Sequence, residues 1–228
     1  MKTQTIGVEI EFTGITRKAA AETVAKYLGT TVNYAGGFVN TSCGLHVHIG
    51  AKKFTPQTIR NLVNMVASKE DKALKVHEER KDYCKKTNQR FLQELNEKKP
   101  TTMAQLKAIW YNEPENCSTS HSHYHNSRYT ICNLHALFTK QTIEFRIFNA
   151  TMHAGEVKAA IQFCLALTHL ALTTQKAIYR PTVTDNPKYT FRCWLLRLNL
   201  IGEEFKTCRL HMLKHLEGNS AWRNSTTA

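Results

Sequence analysis

The stretch Ser42-Cys43-Gly44-Leu45-His46-Val47-His48-Ile49-Gly50 decides the architecture. Leu45, Val47 and Ile49 alternate with Gly44, His46, His48 and Gly50, the period of two that a strand requires. One face of that strand is apolar, and the other presents two imidazoles with glycines leaving room around them.

Two further stretches are built the same way. In Ile6-Gly7-Val8-Glu9-Ile10-Glu11-Phe12, Ile6, Val8, Ile10 and Phe12 share one face and Glu9 and Glu11 the other. In Thr142-Ile143-Glu144-Phe145-Arg146-Ile147-Phe148, Ile143, Phe145 and Ile147 oppose Glu144 and Arg146. Alternation of this kind also keeps the wet side of any half-buried strand wet. Glutamate and histidine are poor strand formers, however, and three such strands in one sheet gather three carboxylates, two imidazoles and a guanidinium on one surface. That set suits a divalent metal and a phosphate.

A chain of 228 residues has room for a sizeable core, and 42% hydrophobic content excludes a disordered chain. The excess of 31 Lys and Arg over 18 Asp and Glu, +13 formally, favours anionic ligands such as nucleotides or nucleic acid. A basic solvated surface has the same composition, so charge alone names no partner. Seven cysteines, an odd number without a CxxC pair, fit a reducing compartment better than a disulfide framework. With no signal-type leader, and with the apolar run Ile161–Leu172 too short and too polar to span a bilayer, the expectation is a soluble cytoplasmic protein.

Along the chain, Thr16 caps an expected helix from Arg17 to Leu28 that packs on the sheet, and Thr55-Pro56 opens another with Ile59, Leu62, Val63, Val66 and Ala67 at helical spacing. Charged, exposed helix is expected over 68–99, with a short helix around Met103, Leu106, Ile109 and Trp110. The segment Asn112–Ser127, with His121, His123 and His125, reads as a loop over the site rather than a metal ligand set. Arg128–Phe138 and Gln141–Phe148 read as a hairpin turning at Thr139-Lys140. An apolar helix follows from Gly155 to Gln175, and two helices close the chain around Gly202. That pair reads as packing against the sheet rather than as a helix-turn-helix DNA reader. The expected fold is α+β: an antiparallel sheet with inserted helices over 1–154 and a helical part over 155–228, together one compact unit.

The chemistry follows from residue type. Glu9 and Glu11, about 7 Å apart along a strand, can each serve one of two neighbouring metal ions. Carboxylates suit Mg²⁺ or Mn²⁺, and an imidazole from His46 keeps Mn²⁺ acceptable. Arg146 beside Glu144, with Arg128 as a second clamp, is how a site neutralises a transferring phosphoryl group. Cys43 points away from His46 and reads as structural. The sequence contains no phosphate-cradling glycine loop.

These strands, with Arg128-Tyr129, Asn133-Leu134 and the continuation Asn149-Ala150-Thr151, resemble the amidoligase family of the glutamine-synthetase-like carboxylate-amine ligases. The similarity continues through Thr55-Pro56, Ser68-Lys69-Glu70-Asp71 and 189–198. It implies a curved antiparallel sheet holding Mg²⁺ and ATP on its concave face. It further implies Glu9, Glu11, His46 and Glu144 as metal ligands, His48 facing ATP, and Arg146 on phosphate. The implied activity is ATP-dependent amide formation through an acyl phosphate, with small-molecule or peptide carboxylate and amine substrates. The chain departs from the family between Glu11 and Cys43, where about thirty residues contain Glu22 as their only acid. The alternative reading is accordingly a catalytically impaired relative that binds protein or nucleic acid.

Overall fold

A computed structural model describes residues 3–11, 43–71, 83–112 and 125–223. Four strands form one antiparallel sheet: β1 (Ile6–Ile10), β2 (Gly44–Gly50), β3 (Cys132–Asn133) and β4 (Thr142–Asn149), in the order β1-β2-β4-β3. Seven α-helices occur among the described residues. They are α1 (Pro56–Ala67), α2 (Gln89–Lys98), α3 (Met103–Tyr111), α4 (His135–Lys140), α5 (Ala154–Thr173), α6 (Pro187–Arg197) and α7 (Lys206–Leu213). The architecture is α+β. No described helix is long and apolar enough to cross a membrane.

The two central strands carry the core. Leu45, Val47 and Ile49 of β2 pair with Phe148, Phe145 and Ile143 of β4, and all six are buried. Each such side chain contributes roughly 2–3 kcal/mol through removal from water. The α5 helix packs against β2, and α1 against α5. Phe148 meets Phe163 of α5 edge-on with ring centroids 6.3 Å apart, inside the range of favourable aromatic pairs. The Thr55 cap and Pro56 at the first helical position start α1 as the sequence requires, with a reciprocal capping box to Thr58. The last helix, α7, packs on α5, and its Arg209 is tied back to the carbonyls of Leu200 and Gly202 at 2.8 and 2.9 Å.

Three features differ from the sequence reading. The expected hairpin over Arg128–Phe138 is instead the two-residue β3 followed by α4. The side-chain oxygen of Asn133 accepts from the His135 backbone N–H at 2.8 Å, which turns the chain into a helix, and Gln141, in the left-handed region at φ 55°, returns it into β4. Secondly, β4 is not evenly alternating. Pairing passes from Val47↔Phe145 to Leu45↔Phe148, so two residues, Arg146 and Ile147, stand opposite His46. This bulge makes Phe148, not Ile147, continue the row that faces the helices. Thirdly, Ile6 and Val8 are 44% and 38% exposed on β1, an edge strand. The helix expected over Arg17–Leu28 lies outside the described residues.

Past the end of α1, buried Glu70 accepts hydrogen bonds from the backbone N–H and hydroxyl of Thr87, at 2.9 and 3.0 Å. Burial pushes its carboxyl above the ordinary value of 4.5, against those hydrogen bonds. The native state thus holds this proton more tightly than the unfolded chain, and stability falls as pH rises from the unfolded value through the native one. Glu70→Gln keeps a carbonyl acceptor for Thr87 and removes the titration. Its melting temperature is expected to gain on that of the wild type as pH rises above the ordinary carboxylate value of 4.5. A difference that stays constant as pH rises would contradict the assignment.

Candidate metal centre

The polar rows of the three long strands meet on one face of the sheet. Glu9 pairs with His46, and His48 with Glu144, so cross-strand neighbours bring carboxylate opposite imidazole twice. His46 Nδ1 lies 3.8 Å from a Glu9 oxygen and 3.4 Å from a Glu144 oxygen, and His48 Nε2 lies 3.8 Å from both carboxylates. One ligand atom each from Glu9, His46 and Glu144 falls within 4.8 Å of the others. Glu11, just past the end of β1, approaches the opposite edge of the His46 ring, 3.8 Å from Nε2. The two carboxylates expected from β1 therefore flank one imidazole.

Glu144 is the fixed point. It is buried, and its two oxygens are taken separately: Arg146 Nη1 donates to Oε1 and Asn133 Nδ2 to Oε2, each at 2.6 Å. Burial alone would push its carboxyl up, but Arg146, the two imidazoles and Asn133 outweigh that and hold it below the ordinary range. Glu9, more than half exposed, is held well below the carboxylate range by the facing His46 and His48, against its partial burial. Both acids are therefore ionised at neutral pH, ready to ligate without losing a proton.

Arg146 is buried with its Nε lacking a hydrogen-bond acceptor among the described residues. The Tyr129 ring lies under the guanidiniums of both Arg146 and Arg128, at 5.8 and 5.5 Å from its centroid. Arg128 thus stands near Arg146, but it ends a 3₁₀ turn (Asn126–Arg128) and does not begin a strand. His48 Nδ1 is 3.2 Å from the Thr142 hydroxyl, which leaves Nε2 toward the carboxylates.

The strand pattern did not mark Asn133 as a site residue, yet it positions Glu144. It does so from β3, where Asn133 pairs directly with Glu144. Behind it, His135 Nδ1 meets the Tyr111 hydroxyl at 2.5 Å, and His125 stacks on His135 at 5.8 Å between centroids. Of the three loop histidines only His125 is described, and it packs here and caps the 3₁₀ turn. His121 and His123 lie outside the described residues.

The donor set is two carboxylates and one imidazole, with a third carboxylate alongside. Hard oxygen ligands with a single nitrogen fit Mg²⁺ or Mn²⁺. A closed structural zinc site would draw on thiolates, and none is in the cluster. The buried Arg146–Glu144–Asn133 arrangement supplies the outer hydrogen bonds that fix a ligand's orientation.

A family profile described as putative amidoligase enzyme matches residues 2–39 and 32–168 of the chain. The two matched segments meet within the stretch between Glu11 and Cys43, where the sequence departs from the family pattern. No curated protein and no solved structure gives a significant match. The profile spans β1 to most of α5, every strand of the sheet and every residue of the cluster, and the chain therefore belongs to this amidoligase family.

Proposed function

We propose that the chain is an ATP- and Mg²⁺-dependent carboxylate-amine ligase whose sheet corresponds to the catalytic sheet of glutamine-synthetase-like enzymes. The observation that carries this reading is the convergence of Glu9, His46 and Glu144 on one point beside Arg146. In this reading Glu9, Glu11, His46 and Glu144 hold metal, His48 faces the nucleotide, and Arg146 and Arg128 take phosphate. When bound, metal and ATP would supply an electrophilic phosphoryl group for a carboxylate, ADP being released, and an amine attacking the activated acyl carbon would expel inorganic phosphate to leave the amide.

The chain's own residues prepare that transfer. Asn133 and Arg146 lock Glu144 before any ligand arrives, so no reorganisation is needed at the moment of reaction. Arg146 uses one N–H on Glu144, and its buried Nε has no acceptor among the described residues. The Tyr129 ring, within 5.8 Å of both guanidiniums, keeps two planar donor forks near one another. The six described cysteines are free and five of them are buried. Burial pushes the Cys132 and Cys208 thiols up to about 12, a thiol usage that suits a reducing cytoplasm.

The second reading, a catalytically impaired relative, is favoured by the single acid between Glu11 and Cys43 and the divided family match at that place. Incubation with ATP, Mg²⁺, pooled carboxylic acids and hydroxylamine as the amine separates the two. A ligase forms hydroxamate and ADP in equal amounts, dependent on one of the acids. Nucleotide binding without ADP formation on any acid would transfer the assignment to the impaired relative.

A further inference from the structure

A second charged feature lies away from the sheet and is independent of the ligase reading. The segment 174–182, between α5 and α6, has no regular secondary structure, yet it is pinned to α1 along its length. Asn61 donates to the Thr174 carbonyl at 2.6 Å and accepts from the Ala177 N–H at 3.1 Å. Asn64 donates to the Ala177 carbonyl at 2.9 Å and exchanges amide hydrogen bonds with Asn96 of α2. Lys69 reaches the Thr182 hydroxyl at 2.7 Å. Asn61 and Asn64 are buried, so this strap is a fixed wall.

Strap, α1 and the end of α2 enclose a cleft of about 670 Å³, within the roughly 300–1,000 Å³ typical of ligand sites. Arg60, Lys99, Lys176 and Arg180 line it, and no carboxylate does. None of these four cations has an ion-pair partner among the described residues, whereas Lys98, next in sequence to Lys99, is paired with Glu94. Between Lys176 and Arg180, Tyr179 lines the cleft with 41% of its surface exposed. Four convergent, unneutralised cations repel one another and are stabilised by an anion spread over several positions. An exposed ring set among them is the arrangement that tracks a phosphate backbone while stacking a base. An acidic peptide would meet the cations but leave the ring without a planar partner.

We infer that this cleft binds a short segment of single-stranded nucleic acid, with phosphates on Arg60, Lys99, Lys176 and Arg180 and a base on Tyr179. The net charge of +13 draws such a polyanion toward the protein.

The test uses the full chain and fluorescein-labelled oligo-dT and oligo-U of about ten nucleotides, within the site size of single-strand grooves, read by anisotropy over a salt series. Affinity is expected to fall steeply as salt rises. The triple variant Arg60→Gln, Lys176→Gln, Arg180→Gln should bind at least about tenfold more weakly, and Tyr179→Ala about tenfold more weakly. A control of equal charge, Lys52→Gln, Lys158→Gln, Lys206→Gln, should stay close to wild type. Circular dichroism checks folding; should the triple variant not fold, Tyr179→Ala, an exposed side chain, carries the test alone. Equal losses in cleft and control variants, competition by poly-glutamate as strong as by unlabelled oligonucleotide, or no binding at low salt would each overturn the inference.

Discussion

Glu144→Gln is expected to lower stability by about 3–5 kcal/mol, the cost of removing one partner of a buried ion pair. For a chain of this length that is roughly a 10 °C fall in melting temperature. The physical reason is specific to how this carboxylate is held. Both its oxygens accept from donors that cannot turn away: Arg146 is buried, and the oxygen of Asn133 is already used by the His135 N–H. A glutamine satisfies one of the two and sets its own NH₂ against the other. Arg146 is left as a buried charge without a counter-ion. Calorimetric or spectroscopic melting checks this, and a loss below about 1 kcal/mol, the size expected of an exposed pair, would show that Glu144 is not locked as described.

Glu9→Gln is expected to do the opposite: to leave stability within about 0.5 kcal/mol while weakening Mn²⁺ binding about 100-fold or more. Its side chain is 55% exposed on an edge strand, so its pairing with His46 and His48 is screened by solvent and worth little to the fold. The affinity loss should at least match the upper end of what outer-sphere substitutions cause, about 100-fold, because this carboxylate would ligate directly. The electron paramagnetic resonance signal of free Mn²⁺, titrated with protein, reads the affinity. An unchanged Mn²⁺ affinity would remove Glu9 from the ligand set. Together the two variants separate a group that holds the sheet face together from one that serves only the ion.

The strand faces were legible because the chemistry forced it. Glu9, His46, His48, Glu144 and Arg146 each interrupt an apolar strand at period two, and antiparallel pairing then places them opposite one another. The start of α1 was legible for a similar local reason, the Thr55 cap followed by Pro56.

Elsewhere the local pattern was ambiguous or depended on distant partners. Ile131-Cys132-Asn133-Leu134-His135-Ala136-Leu137-Phe138 is apolar enough for either period, and the Asn133 side chain, not hydrophobicity, commits it to a helix. The bulge opposite His46 leaves no mark on the alternation of Thr142–Phe148 but changes which residue faces α5. Asn61 and Asn64 lie among the polar positions of α1 in sequence. They are buried only because a strap more than a hundred residues later returns to cover them. Glu70 likewise reads as a surface charge until Thr87 is placed over it.

In the proposed reading the three strand faces form a metal-dependent nucleotide site. Calorimetric titration of the folded protein with a non-hydrolysable ATP analogue, in Mg²⁺, in Mn²⁺ and in chelator, tests it most directly. Binding is expected in either metal, lost in chelator, and weakened by Glu9→Gln without loss of fold. Absence of binding in both metals, or binding indifferent to chelator, would contradict it.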